Sequence, residues 1–132
     1  MAFAIQIQVI VSEKTIFHMI IDEGASNFIM SISCWKAIGS PTLTKSPNTL
    51  KAFDGKNFSP LGILKSLPIM LEEKSVEVDV EVVDAPLDFN ILLGHRWIYA
   101  MFAVVSSLFR VIKFPFQGKF FIIDQLAFFT YD

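Results

Sequence analysis

IIDEGASNFI, residues 20–29, carries an apolar run straight onto a carboxylate, Asp22, then through Glu23 and a Gly-Ala-Ser turn into a second apolar run. A carboxylate at the end of a buried strand is costly to hide unless hydrogen bonds or a partner group compensate it. The residues upstream say what that strand is. AIQIQVIV (4–11) and TIFHMII (15–21) are two β-rich runs joined by SEK, a hairpin pattern that delivers Asp22 at its end. In the first run Ile5, Ile7 and Val9 alternate with Gln6 and Gln8, the period of a strand. Taken alone, the stretch is a strand followed by a polar turn.

Downstream the pattern stays β. NFIMSISCWKAIG (27–39) reads as a strand and then a short helix from about Ser33 to Ile38, closed by Gly39. SPTLTKSPNTLKA (40–52) is an irregular link with two prolines. In AFDGKNF (52–58), Asp54-Gly55 is the strongest short hairpin signal in the chain. ILKSLPIML (63–71) and SVEVDVEVVD (75–84) flank the turn EEK; in the latter Val76, Val78, Val80 and Val82 alternate with acids, which predicts a strand with one wet face. NILLGHRW (90–97) predicts a short buried strand ending at Gly94, with a helical turn or two running from Trp97 to Phe102. AVVSSLFRVIKF (103–114) and FFIIDQLAFF (120–129) complete the strands, the second as a candidate interface strand. Short strands at this spacing predict an all-β closed barrel or sandwich in a single domain, 1–132, with one or two short helices.

Composition narrows the function. Hydrophobic residues make up 53% of the 132 and charged residues 18%, so self-association is expected to hide part of the surface. The net charge of −2, with scattered Lys and Arg, gives no footprint for nucleic acid. One cysteine, Cys34, excludes an internal disulfide and fits a reducing, cytoplasmic compartment. His18, His95 and Cys34 stand at spacings unsuited to a metal site, and no cofactor motif is present. WIYAMFAVVSSLF (97–109) is too short to span a bilayer as a helix, so no membrane partner is expected.

Three elements stand in order: Ile-Ile-Asp-Glu-Gly-Ala-Ser at 20–26, the Gly-tipped hairpin at 53–58, and ILLG at 91–94. With CWKAIGSPTLTKSP, LKAFDGKNFSPLGIL and VEVDVEVVDAPLDFNILLG, they make the chain resemble the retropepsins. These are the homodimeric aspartic proteases of retroviruses and LTR retrotransposons, and the nearer likeness is to the protease region of plant gypsy-class pol polyproteins. The resemblance implies a closed barrel working as a homodimer on an extended peptide or polyprotein segment. Asp22 would be the catalytic acid, one from each copy, the two sharing a proton at a two-fold axis. Glu23, Gly24, Ala25 and Ser26 would form the active-site loop, Gly24 allowing a tight turn beside the acid. Phe53, Asp54, Gly55 and Lys56 would tip a flap over the substrate, and Ile91, Leu92, Leu93 and Gly94 would pack behind the loop. No metal is implied.

The chain departs from the family at Glu23, where a Thr or Ser hydroxyl normally bonds across the dimer axis. An ionised Glu has no proton to donate. The resemblance therefore leaves two readings open: an active endopeptidase, or a catalytically impaired domain that dimerises or binds peptide only. A third, from the pattern alone, is a small β-barrel binding module. In the resembled family an Arg follows the Gly of the last element; here His95 takes that place, with Arg96 one later, and both read as a solvated helix start. His18 reads as a surface or satisfied core residue, and Cys34 and Trp35 as helix packing.

Overall fold

The computed structural model describes residues 5–46, 50–51, 57–58, 60–85, 87–106 and 109–124. Six strands close a barrel: β1 (Ile5–Val11), β2 (Lys14–Ile21), β3 (Ile29–Ser31), β6 (Gly62–Leu71), β7 (Lys74–Val83) and β8 (Ile91–Leu93). Their order around the wall is β1-β2-β8-β3-β7-β6, and Ile10 against Met70 joins the last strand to the first. Between β3 and β6 lie α1 (Ile32–Ala37) and a two-stranded hairpin of β4 (Leu50–Lys51) and β5 (Asn57–Phe58). After the barrel come α2 (His95–Ala100) and a second, three-stranded sheet of β9 (Val104–Ser106), β10 (Val111–Phe116) and β11 (Lys119–Asp124). The closed barrel with two short helices agrees with the expected fold class.

Local chemistry accounts for the turns. Ser12 and Glu13 both take positive φ (50° and 66°) between β1 and β2, the two-residue geometry that matches strand twist. Gln117 and Gly118 repeat it between β10 and β11 with φ of 51° and 74°, and there Gly118 supplies one left-handed residue without strain. β2 carries a bulge. Its register against β1 slips between Ile7 and Val9, and His18, exposed, sits at φ 56°. Asn90 holds that bulge by donating its backbone N–H to His18 O (3.0 Å) and Nδ2 to Phe17 O (2.7 Å). Its own carbonyl accepts from Ser31 N at 2.9 Å, so one residue ties β2, β3 and the start of β8 together.

The barrel interior follows from period-2 alternation. Val78, Val80 and Val82 from β7 meet Leu64, Leu67, Ile69 and Leu71 from β6, with Met19, Ile21, Met30, Ile91 and Leu93 opposite. β7 departs from its expected pattern at one acid: Glu77 and Asp79 are exposed, but Glu81 is only 6% exposed. The run 103–114 forms two strands, β9 and β10, where one was expected, with a turn at Phe109–Arg110 between them. The last strand ends at Asp124 within the described residues and pairs with β10; residues 125–129 of the expected interface strand lie outside them.

Both helices pack against the barrel core, α1 through Cys34 and α2 through Trp97 and Ile98. Ser31 caps α1, its Oγ accepting from Cys34 N at 3.1 Å, and Lys14 Nζ donates to Ala37 O at the other end. Trp35 Nε1 donates to Pro41 O at 2.9 Å. Cys34 is 3% exposed, and burial pushes its thiol up to about 11, so it is inert packing rather than a nucleophile. Trp97 and Met101, fully buried, anchor α2. Lys74 Nζ donates to Met101 O (2.7 Å) and lies 5.2 Å from the Phe102 ring centre, tying the β6–β7 hairpin to the end of α2. Among the described residues no helix is long and apolar enough to cross a membrane.

Candidate active site

Asp22 stands where β2 leaves the barrel wall. β8 runs parallel to β2, with Ile20 opposite Leu92 and Ile21 opposite Leu93. That pairing continues one step into the loop: Asp22 N donates to Leu93 O at 3.0 Å. The loop then closes on itself. Ala25 N donates to Asp22 O at 3.1 Å, and Gly24 N donates to Asp22 Oδ1 at 2.9 Å. This is an Asx-type turn, in which the side chain fixes its own loop and the loop fixes the side chain. The carboxylate is half-buried, with one oxygen held and its backbone locked to a core strand. Glu23, Gly24 and Ser26 are exposed and Ala25 is half-buried.

ILLG lies directly against this loop. Ile91, Leu93 and Gly94 are buried, whereas Leu92 is half-exposed and faces the other way. His95 N donates to Ala25 O at 3.0 Å, so the start of α2 is bonded to the loop. A Cβ at Gly94 would come 2.4 Å from Ala25 O and 3.1 Å from its carbonyl carbon. The close approach of two backbones makes glycine obligatory at this point. The expected role of Gly24 differs. Its φ is not left-handed, and a Cβ there would meet only Asp22 Oδ1, at an ordinary 3.5 Å. The turn beside the acid is closed by hydrogen bonds, and the glycine that the packing demands is Gly94.

The hairpin at 50–58 is present in its two short strands, Leu50 opposite Phe58 and Lys51 opposite Asn57. Phe53, Asp54, Gly55 and Lys56, the expected flap tip, lie outside the described residues. The hairpin leads into β6 through Leu61, whose N–H donates to Val82 O at 2.8 Å. His95 packs edge-on against Tyr99, centroids 5.8 Å apart, and Arg96 is exposed. Among the described residues no three His, Cys, Asp or Glu side chains gather to hold a metal ion.

Register brings together a further set of residues that the sequence pattern did not single out. Ile20 pairs with Leu92, Leu92 with Ile29, Ile29 with Glu81, and Glu81 with Ile63. Directly paired residues share a face of a sheet. These five therefore form one row on the outside of the barrel, opposite the face that Ile21, Leu93, Met30 and Val82 turn inward. The row starts two residues before Asp22 and ends at Ile63, which Thr44 bridges from outside the barrel. Its four aliphatic members are half-buried, and Glu81 is the one acid in it.

Solved structures share this architecture. The retroviral protease-like domain of Ddi1 from Leishmania major superposes with a TM-score of 0.67 at 12% identity, covering 87% of this chain and 90% of that one. EIAV protease in complex with the inhibitor HBY-793 gives 0.62 at 13% identity, over 76% and 90% of the two chains. A retropepsin-like aspartic protease from Rickettsia conorii gives 0.59 at 15% identity, over 79% and 77%. No protein-family model matches the sequence, and no curated relative does. At these identities the likeness is one of fold: the chain has a retropepsin-like barrel.

Proposed function

We propose that the chain is one half of an aspartic endopeptidase, completed by a second copy and acting on an extended segment of a retroelement polyprotein. The observation that carries this reading is the loop of Asp22, bonded through its backbone to Leu93 and through Oδ1 to Gly24, at the strand end of a retropepsin-like barrel. One chain supplies one such loop among its described residues. A two-fold axis beside it supplies the other acid, and carboxylates held that close share one proton. The ionised member takes a proton from a water that attacks the scissile carbonyl. The protonated member polarises that carbonyl and then protonates the leaving amine. The reaction calls for no metal and no covalent intermediate. Two of the similar structures are described as proteases, one of them inhibitor-bound, and the third as a protease-like domain. The gypsy-class polyprotein setting rests on the ordered sequence elements.

Glu23 favours a second reading, in which the domain dimerises or binds peptide without cutting. It is exposed on the loop of the single chain. Two copies would set two further negative charges near the acid pair and supply no hydroxyl to bridge the axis. Glu23→Thr tests what Glu23 does at the axis. With the hydroxyl restored, the dimer is expected to tighten by about three- to tenfold, the worth of roughly one net hydrogen bond per interface. Sedimentation equilibrium over a dilution series measures it, and a weaker dimer in the variant contradicts the account of Glu23.

A further inference from the structure

We infer that Asn90 is a positioning residue for the acid: by clamping the bulge in β2, it sets the face on which Asp22 leaves the barrel. The inference rests on the protease reading and adds the residue that aims its acid. Gln8 of β1 stands opposite two residues of β2, Phe17 and His18, because Ile7 pairs with Met19 and Val9 with Ile16. Two residues against one is a bulge, and it shifts the alternation of the bulged strand by one step. Ile16, Met19 and Ile21 are all buried, whereas Phe17 and His18 are both exposed. Carried on from Ile16 at period two, the strand would turn His18, Ile20 and Asp22 toward the core and leave Met19 and Ile21 outside. With the extra residue in place, Ile20 joins the outer row beside Leu92. Asp22, two residues further on, keeps that outward side.

Asn90 is the residue that holds the bulge. Both bulged residues give it their carbonyls: His18 O accepts from its backbone N–H at 3.0 Å, and Phe17 O accepts from Nδ2 at 2.7 Å. His18 sits at a left-handed φ of 56°, a conformation that persists only where surrounding bonds fix it. Asn90 O accepts from Ser31 N at 2.9 Å, which ties the clamp to β3. The next residue, Ile91, pairs with Met19 on one side and Met30 on the other. β8 is only three residues long, and it ends at Leu93, whose carbonyl takes the Asp22 N–H at 3.0 Å. So short a strand cannot absorb a slip, and a shift at Asn90 reaches Leu93 and the acid. The bond from Nδ2 is the part of the clamp that a substitution removes while the backbone stays whole. Aspartate has the shape of asparagine without the donor, and alanine has neither.

The test compares Asn90→Ala and Asn90→Asp with the parent at a temperature where the parent is folded by circular dichroism. Both variants are expected to lose kcat by on the order of tenfold with KM nearly unchanged, the mark of a misplaced catalytic group. Residue-resolved hydrogen exchange gives the second readout. The Asp22 amide should exchange on the order of tenfold faster in the variants, while the amides of β10 and β11 exchange as in the parent. A kcat equal to the parent's in both variants overturns the inference. So does a rise in exchange that is uniform along the chain, or failure of both variants to fold, since either makes Asn90 a residue of general stability. A parent that cuts no peptide removes the protease reading by itself. Exchange at Asp22 then decides the role of Asn90 alone, and an amide no faster in the variants overturns it.

Discussion

Asp22→Asn is expected to fold and associate like the parent while peptide cleavage falls by at least about 10³-fold, the scale of a lost acid–base catalyst. The change is nearly isosteric. The amide oxygen of Asn accepts the Gly24 N–H as Asp22 Oδ1 does, and the backbone bond to Leu93 O is untouched. What disappears is the shared proton: two amides at the axis neither take a proton from water nor give one to the amine. Circular dichroism and sedimentation should match the parent, and a discontinuous peptide assay should read background. Cleavage retained in the variant would remove Asp22 from the chemistry.

The second large effect is on stability. Gly94→Ala is expected to destabilise the fold by about 2–3 kcal/mol, because its Cβ would sit 2.4 Å from Ala25 O and force two backbones apart. The strain falls on the two bonds that define the site, Asp22 N to Leu93 O and His95 N to Ala25 O. Activity should therefore fall with stability. Gly24→Ala is the contrast: with a single 3.5 Å contact and no left-handed φ, it should move the unfolding free energy by less than about 1 kcal/mol. Chemical denaturation of the two variants side by side decides the matter. A larger cost at Gly24 than at Gly94 would mean that the loop is packed differently.

Much of the barrel was legible in the sequence because its signals are local. The Ile-Gln alternation of β1, the valine alternation of β7 and the apolar run into Asp22 each state a strand and the face it buries. The ordered elements around Asp22 and ILLG also placed the loop and the strand that meets it. The structure adds which glycine the meeting requires, a fact about two segments some 70 residues apart that neither segment carries alone. Glu81 was hidden for the same reason. In the sequence it continues the series Glu77, Asp79 and reads as solvent-facing; only the pairing of β7 with β3 and the return of Ser46 bury it. The split of 103–114 into β9 and β10 was hidden because the run is apolar on both sides of Ser106 and Ser107, with no Gly or Pro to mark a turn before Arg110. Positive φ at Ser12 and Glu13 was equally illegible, since neither is a residue that announces it.

The central claim is that two chains build one site. Titration calorimetry of the protein with a statine-type peptide, a mimic whose hydroxyl needs both carboxylates, tests it most directly. The account predicts saturation at one ligand per two chains. One ligand per chain, or no binding by a protein that is otherwise folded, would contradict it.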